Sequence, residues 1–294
     1  MLSEREGPKA EHSRLSTFSF MPRLALLLTS LIWGATFPAT KAALEQIPPL
    51  SFLLLRFFLG TLLILVWLVI GRRRLHHDRA VLIAAAFSTL FLFLGYLLQT
   101  VGLAYTTASN SAFLTALYVI FVPLILLRVD RRVFLATVLA VVGLWLLVKP
   151  NASMNRGDLM TLGCAVAFAG HIICLERFTR QVDAPSLLVW QMAAMTVLFL
   201  PAPWWEDVPG SAFSPTPVLL TGLVVTGVLA TLAFAVQMWA QRLVPAQQVA
   251  LLFASEPVYA AWLSWYVLGE TLDVQGWIGS ALIILAVIIG AVGG

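Results

Sequence analysis

Glu256 is an acidic residue deep within an apolar stretch that covers residues 246–268. Pro257 follows it, and a proline inside a helix leaves the carbonyl group four residues earlier, that of Phe253, without its hydrogen bond. An ionisable group beside a broken helix is typical of a binding site for a solute or an ion at bilayer depth. The alternative is a protonated, hydrogen-bonded carboxyl that fixes the bend. We favour a binding role for Glu256.

Two further ionisable residues lie inside other apolar stretches. Arg56, near the start of the stretch 50–70, either faces a cavity and holds a carboxylate or extends towards the lipid headgroups. His171 lies alone in the stretch 158–177, and a lone histidine on an apolar helix is more often a packing residue than a proton relay. We expect these groups to share a cavity with amide, hydroxyl and aromatic residues. The other candidate binding residues are Trp33, Thr36, Tyr96, Gln99, Asn110, Tyr118, Gln237, Trp239 and Tyr259.

The composition requires a membrane environment for these residues. Of the 294 residues, 60% are hydrophobic and 11% are charged, whereas about 25% are charged in a soluble globular domain. So few charges cannot cover a water-facing surface of this size. This excludes a soluble enzyme, a nucleic-acid-binding protein and a disordered chain, and it predicts an integral membrane protein.

Apolar stretches long enough to cross a bilayer as helices, about 17–25 residues each, follow one another with short connections. We predict an all-α protein with ten transmembrane helices. The predicted spans are 24–44, 50–70, 80–103, 108–127, 133–149, 158–177, 186–203, 216–240, 246–268 and 274–291.

The positions of the basic residues predict the orientation. If residues 1–23 form a cytoplasmic tail, 14 of the 18 Lys and Arg lie in that tail or in cytoplasmic loops. This asymmetry follows the positive-inside rule and places both termini in the cytoplasm. The arginine runs separate apolar spans, so we do not interpret them as nucleic-acid sites. The expected partners are the lipid bilayer and a small-molecule substrate, with no nucleic acid and a proton as candidate coupling ion.

The chain also contains a weak internal repeat. When the sequence is aligned with itself, an offset of 138 pairs Tyr96 with Phe234 and Gln99 with Gln237, and an offset of 135 pairs Arg56 with Gln191. We predict a first five-helix repeat at 24–149, an external linker at 150–157 and a second repeat at 158–294. Because five spans is an odd number, the second repeat enters the membrane inverted. Inverted repeats about a central site are a recurrent architecture of secondary transporters.

Three classes of function compete at this stage. The first is a secondary transporter that works by alternating access, in which Glu256 senses protonation or fixes the bend and Arg56 attracts a substrate carboxylate. The second is a passive channel or facilitator for small polar solutes. The third, an intramembrane enzyme or accessory subunit, is disfavoured because the sequence contains no H-E-x-x-H, G-x-S-x-G or P-loop motif. We expect no enzymatic activity and no cofactor.

Several motifs resemble the EamA-type transporters of the drug/metabolite transporter superfamily. They are Trp33-Gly-Ala-Thr-Phe37, Arg56-Phe57, Tyr105-Thr-Thr-Ala-Ser109, Ser111-Ala-Phe-Leu-Thr115, Ser255-Glu-Pro-Val-Tyr259 and Leu268-Gly-Glu270. The resemblance implies ten helices in two inverted five-helix repeats with cytoplasmic termini. It also implies export or exchange of small metabolites such as amino acids, usually across the bacterial inner membrane. The protein is expected to be a monomer or a homodimer.

One feature departs from this pattern. The first repeat has Tyr118-Val119 where the second has Glu256-Pro257, and its proline is displaced to Pro123. We therefore expect the two repeats to contribute different ligands to the site.

Overall fold

The computed structural model describes residues 8–127, 131–148, 154–210, 216–268 and 273–292, and their regular structure is helical. Gly269 and Glu270 of the family resemblance lie outside these residues. A π-helical segment, Val224–Leu229, joins two of the helices. The α-helices are α1 (Pro8–Ala43), α2 (Pro49–Ile70), α3 (Arg79–Leu103), α4 (Ala108–Ala116), α5 (Tyr118–Leu126), α6 (Arg131–Val148), α7 (Arg156–Phe178), α8 (Ala184–Phe199), α9 (Ala202–Trp205), α10 (Pro217–Leu223), α11 (Ala230–Gln241), α12 (Ala246–Phe253), α13 (Glu256–Leu268) and α14 (Val274–Val292).

Eight of the described helical segments are long and apolar enough to cross a membrane, and Val274–Gly290 forms a shorter apolar helix. The first of the eight begins at Phe20, although α1 itself begins at Pro8, inside the predicted tail. The all-helical membrane protein predicted from the composition is confirmed. The predicted ninth span contains two helices, α12 and α13.

Corresponding segments of the two halves have matching lengths. Pro49–Ile70 and Ala184–Trp205 both contain 22 residues, and Arg79–Leu103 and Pro217–Gln241 both contain 25. The starts of the first pair are related by the offset of 135 and those of the second pair by the offset of 138, as in the alignment of the sequence with itself. The additional residues therefore lie in the connection after Trp205, which is longer than the connection after Ile70.

Each half contains a pair of helices that are interrupted at the same place in the repeat. The helical pair α4 and α5 breaks at Leu117, and α12 and α13 break at Ala254 and Ser255. Leu117 and Ser255 are related by the offset of 138, so the breaks coincide in the repeat. The first break occurs without a proline beside it, because Pro123 lies in the middle of α5.

Helices of the first half pack against helices of the second half. Helix α1 packs against α11, and α3 packs against α7, while α2 packs against α8 and α6 against α14. The Oγ1 atoms of Thr61 on α2 and Thr196 on α8 lie 2.9 Å apart in a hydrogen bond. These two threonines are related by the offset of 135, so each one contacts its own counterpart in the other half.

Helices α6 and α14 approach each other closely at two glycines. A Cβ atom on Gly143 would lie 2.7 Å from the carbonyl oxygen of Gly279, and a Cβ atom on Gly279 would lie 2.5 Å from the carbonyl oxygen of Gly143. Small residues allow this kind of backbone approach between helices in membranes.

We therefore expect Gly143→Ala to lower the free energy of unfolding by about 1–3 kcal/mol, because the added methyl group forces the two backbones apart. Thermal unfolding in detergent measures the effect. Gly210→Ala is the matched control, since no heavy atom of the described residues, apart from its chain neighbours, lies within 4 Å of the added Cβ. An unchanged melting temperature for Gly143→Ala would contradict the close contact.

Candidate functional site

A cavity of about 50 Å³ lies at the centre of the bundle, between both broken helical pairs and helices α1, α3, α7 and α11. Eight of the twelve predicted binding residues line it. The lining residues are Trp33, Thr36, Phe37, Leu92, Tyr96, Gln99, Thr115, Tyr118, Phe168, His171, Ile172, Phe234, Gln237, Phe253 and Glu256.

The lining is organised by the internal repeat. The offset of 135 pairs three lining residues of α1 with three of α7, and the offset of 138 pairs four lining residues of the first half with four of the second. Leu92 alone among the lining residues has no counterpart there. The pairs are Trp33 with Phe168, Thr36 with His171, Phe37 with Ile172, Tyr96 with Phe234, Gln99 with Gln237, Thr115 with Phe253, and Tyr118 with Glu256.

This pairing explains which functional residues the sequence analysis missed. Phe168 and Phe234 line the cavity but were not predicted, although their repeat counterparts Trp33 and Tyr96 were. Applying the two offsets to every predicted residue would have found both phenylalanines. The repeat therefore adds two lining residues that polarity does not indicate.

Glu256 is the first residue of α13, directly after the break, and is 5% exposed. The hydroxyl group of Tyr118, the first residue of α5, faces the Glu256 carboxyl. That hydroxyl is buried and has no hydrogen-bond partner among the described residues. Close packing fixes Glu256 in place, because a Cβ atom on Gly34 would lie 2.7 Å from the Glu256 carbonyl oxygen.

Amide and imidazole groups form a second part of the wall. Gln99 Nε2 donates to Thr115 Oγ1 at 3.2 Å, and Gln237 Nε2 donates to Gln241 Oε1 at 2.8 Å. His171 Nε2 lies 2.9 Å from Gln191 Nε2. These side chains are held by neighbouring groups of the protein, so their orientations are set in advance of any ligand.

Arg56 does not line the cavity, although it is buried at 2% exposure. Its guanidinium carbon lies 4.3 Å from the centre of the Tyr96 ring and 5.1 Å from that of Phe57. Its Nε atom has no hydrogen-bond partner among the described residues. The Tyr96 ring, which does line the cavity, therefore separates the Arg56 charge from it in this conformation.

Three other predicted residues also lie away from the cavity lining. Trp239 is 46% exposed on the outside of the bundle, which agrees with an aromatic residue that faces lipid. The Asn110 Nδ2 atom donates to Asp158 Oδ1 at 2.5 Å near the ends of α4 and α7. Tyr259 packs where α13 meets Gly34 of α1.

A larger groove of about 710 Å³ lies towards the C-terminal end of α1. Ala35, Pro38 and Ala108 contribute to it, together with residues of α10 and α13. Phe37 is buried against Ala112 and Ala260, and it also lines the central cavity. Ala108, which lines the groove, packs against this same apolar cluster.

Comparison with known proteins identifies the family. The sequence matches the EamA-like transporter family twice, over residues 21–149 and 155–291. This chain belongs to that family. The EamA-like match is consistent with the drug/metabolite transporter superfamily that the sequence motifs resembled.

Similar proteins carry transporter names. An "Uncharacterized transporter" of Archaeoglobus fulgidus is 34% identical, with 90% of this chain and 84% of that protein covered. YwfM of Bacillus subtilis is 30% identical, with 90% of this chain and 92% of that protein covered. YedA of Escherichia coli K12, named an inner membrane transporter, is 27% identical, with 92% of this chain and 90% of that protein covered. One crystal structure superposes on this EamA-like chain with a TM-score of 0.75 at 16% identity. The superposition covers 93% of this chain and 99% of that protein, and it supports the fold.

In this EamA-like transporter, we expect Tyr118→Phe to leave the free energy of unfolding within about 0.5 kcal/mol of the wild type, because the lost hydroxyl faces the Glu256 carboxyl but makes no hydrogen bond of standard geometry with a described residue. Thr106→Val is the matched comparison, since the Thr106 hydroxyl donates to Asp158 Oδ1 at 2.6 Å. We expect that change to cost about 1–3 kcal/mol, because it removes a hydrogen bond to a buried carboxylate. Thermal unfolding of both variants measures the difference, and equal losses would contradict this assignment of partners.

Proposed function

We propose that the protein is a secondary transporter that moves small metabolites such as amino acids by alternating access, with the central cavity as its binding site. The observation that carries this proposal is the lining of the cavity by seven repeat-related pairs. A site built from equivalent positions of two inverted repeats can be reached from either side when the repeats exchange conformations. We propose ten spans, with α12–α13 as the ninth and α14 as the tenth.

Hydrogen bonds at the two ends of the bundle support an inverted repeat. Asn110 of α4 bonds to Asp158 of α7, while Gln248 of α12 accepts from Arg23 of α1, with Nη2 at 3.1 Å. Asn110 and Gln248 are related by the offset of 138, and Arg23 and Asp158 by the offset of 135. The same pair of positions therefore closes each end, with opposite charges.

A second set of contacts follows the same rule. Lys41 Nζ donates to the carbonyl oxygens of Leu103 and Thr106, each at 2.8 Å, in the connection before α4. Its counterpart at the offset of 135 is Glu176, which accepts from the backbone N–H of Ala246 at 3.1 Å, at the start of α12. One end presents a cation to backbone acceptors, and the other presents a carboxylate to a backbone donor.

The size of the cavity indicates that the binding site must open. Sites for small-molecule ligands usually have volumes of about 300–1,000 Å³, whereas this cavity has about 50 Å³. We propose that Asn110–Asp158 is the outer latch and Gln248–Arg23 the inner latch. Breaking one latch while the other holds admits substrate from one side at a time.

We propose an orientation in which both termini and the inner latch are cytoplasmic, as the Lys and Arg distribution predicts. The domains are then a cytoplasmic tail at 1–23, repeats at 24–149 and 158–294, and an external linker at 150–157. The name of YedA supports the cytoplasmic, or inner, membrane as the location. Export or exchange is the proposed direction, with a proton as candidate coupling ion and a monomer or homodimer as the assembly.

Counterflow in liposomes tests the transport proposal. Vesicles containing the purified protein, preloaded with a mixture of amino acids and other metabolites, should accumulate labelled solute of the same class above the level in empty vesicles. Glu256→Gln should reduce this accumulation by about tenfold or more and remove its pH dependence, because the variant has no titratable group there. Flux that never shows counterflow would indicate a channel, and normal transport by Glu256→Gln at every pH would exclude proton sensing by Glu256.

Weakening the outer latch and weakening the inner latch should change access to the cavity in opposite directions. In a background of Cys164→Ala and Cys174→Ala, the variant Thr36→Cys places a thiol in the cavity. A membrane-impermeant thiol reagent added outside should label it faster in Asn110→Ala and more slowly in Gln248→Ala, because each change weakens one latch and shifts the population of the two states. Changes in the same direction for both variants would contradict the assignment of latches to opposite ends.

A further inference from the structure

We propose that the central cavity recognises its solute through a positively charged nitrogen, which pairs with the Glu256 carboxylate inside a wall of aromatic rings. The chemical class is that of amines and quaternary ammonium compounds with an apolar or aromatic remainder. The inference rests on the transport function proposed above and narrows its substrate class.

Aromatic side chains make up nearly half of the cavity lining. The rings of Trp33 and Phe234 meet edge to face with centroids 4.6 Å apart, and those of Tyr96 and Phe168 with centroids 5.2 Å apart. The faces of such rings carry negative potential and attract organic cations, particularly where water is excluded. The aromatic lining residues are Trp33, Phe37, Tyr96, Tyr118, Phe168, Phe234 and Phe253.

The charged groups of the lining also favour a cation. Glu256 is the one carboxyl among the described lining residues, and no lysine or arginine is among them. His171 is engaged by Gln191. The nearby Arg56 stacks behind the Tyr96 ring and does not line the cavity. A bound ammonium group therefore meets the Glu256 carboxyl directly, whereas the Tyr96 ring lies between the cavity and the Arg56 guanidinium.

A carboxylate ligand finds fewer partners in the same place. Gln99 and Gln237 each use one amide N–H in a hydrogen bond to Thr115 or Gln241, which leaves a carboxylate one uncharged donor from each and no cationic partner in the lining. The unpartnered Tyr118 hydroxyl faces Glu256, so an anion that reached it would lie beside another carboxyl. The hypothesis that Arg56 attracts a substrate carboxylate has no open path to the guanidinium in this arrangement.

Three probes that share one ring separate these possibilities: 2-phenylethylammonium, phenylalanine and 3-phenylpropionate. They differ in carrying a cation, a zwitterion or an anion. Isothermal titration of the full-length protein in detergent should give 2-phenylethylammonium an affinity about tenfold or more above that of phenylalanine, because the amine lacks the carboxylate that Glu256 repels. Binding of 3-phenylpropionate should be undetectable.

Two variants locate the binding to this cavity. Glu256→Gln should weaken binding of the amine by about tenfold or more, because a charge-assisted contact is lost. Trp33→Leu should weaken it by about fivefold, through loss of an aromatic face. Trp277→Leu is the matched control, since Trp277 is an exposed residue of α14 and should leave the affinity within about twofold. Each variant is first shown to be monodisperse and to melt cooperatively.

The titrations of the wild-type protein test the proposal even if a variant fails to fold. Binding of 3-phenylpropionate or phenylalanine as tight as that of the amine would overturn the cation proposal, and so would the absence of amine binding to folded protein. Counterflow of an anionic or zwitterionic solute in those cases would leave the transport function intact. A complete absence of counterflow despite amine binding would instead contradict the transport function alone.

Discussion

The hydrocarbon interior of a bilayer offers no water to hydrogen-bond a polar group, so each buried donor and acceptor must find its partner within the protein. This constraint governs the whole chain. Hydroxyl groups inside the helices return to the carbonyl oxygen one turn earlier, as Thr161 does to Gly157 and Ser280 to Gly276. The start of α2 is satisfied by Glu206, whose carboxylate accepts from the backbone N–H groups of Leu50 and Ser51. Among the described residues, a few buried polar atoms lack a partner, and the Tyr118 hydroxyl is the one of these that belongs to the cavity lining.

The same constraint explains where helices are interrupted. A break in a membrane helix exposes backbone polar groups, and it is tolerated only where the backbone faces a cavity or packs inside the protein. Both breaks lie at the central cavity, and each places a polar residue, Tyr118 or Glu256, at the start of the second half-helix. Pro257 follows the second break, but the first has no proline at that point. The break therefore follows from its position in the fold and does not require a proline, which stands beside it in only one of the two halves.

Much of this architecture follows from the sequence because membrane helices obey simple rules of length and apolarity. Equivalent helices of the two halves must start a constant number of residues apart if equivalent residues are to make equivalent contacts. The offsets can therefore be read from the sequence, and the contact between Thr61 and Thr196 is one example. Individual side-chain directions were harder to predict. Arg56 and Trp239 both have the chemistry of binding residues, but whether a side chain faces the centre, a neighbouring ring or the lipid depends on helix rotation, which polarity alone does not determine. Phe168 and Phe234 were missed because an apolar ring in an apolar span carries no local signal.

The exchange of partners between the halves has a consequence for biosynthesis. Helix α1 packs on α11 and α3 packs on α7, so the faces that the first half buries are covered by helices made later. When the helices of the first half have left the ribosome, α1 and α3 are in the membrane without α11 and α7, against which they finally pack. The nascent half must wait for its counterpart, and the core of the protein closes only after α11 has been inserted. The packing between the halves is therefore completed late, and a chain cut between them should need both fragments present together in one membrane.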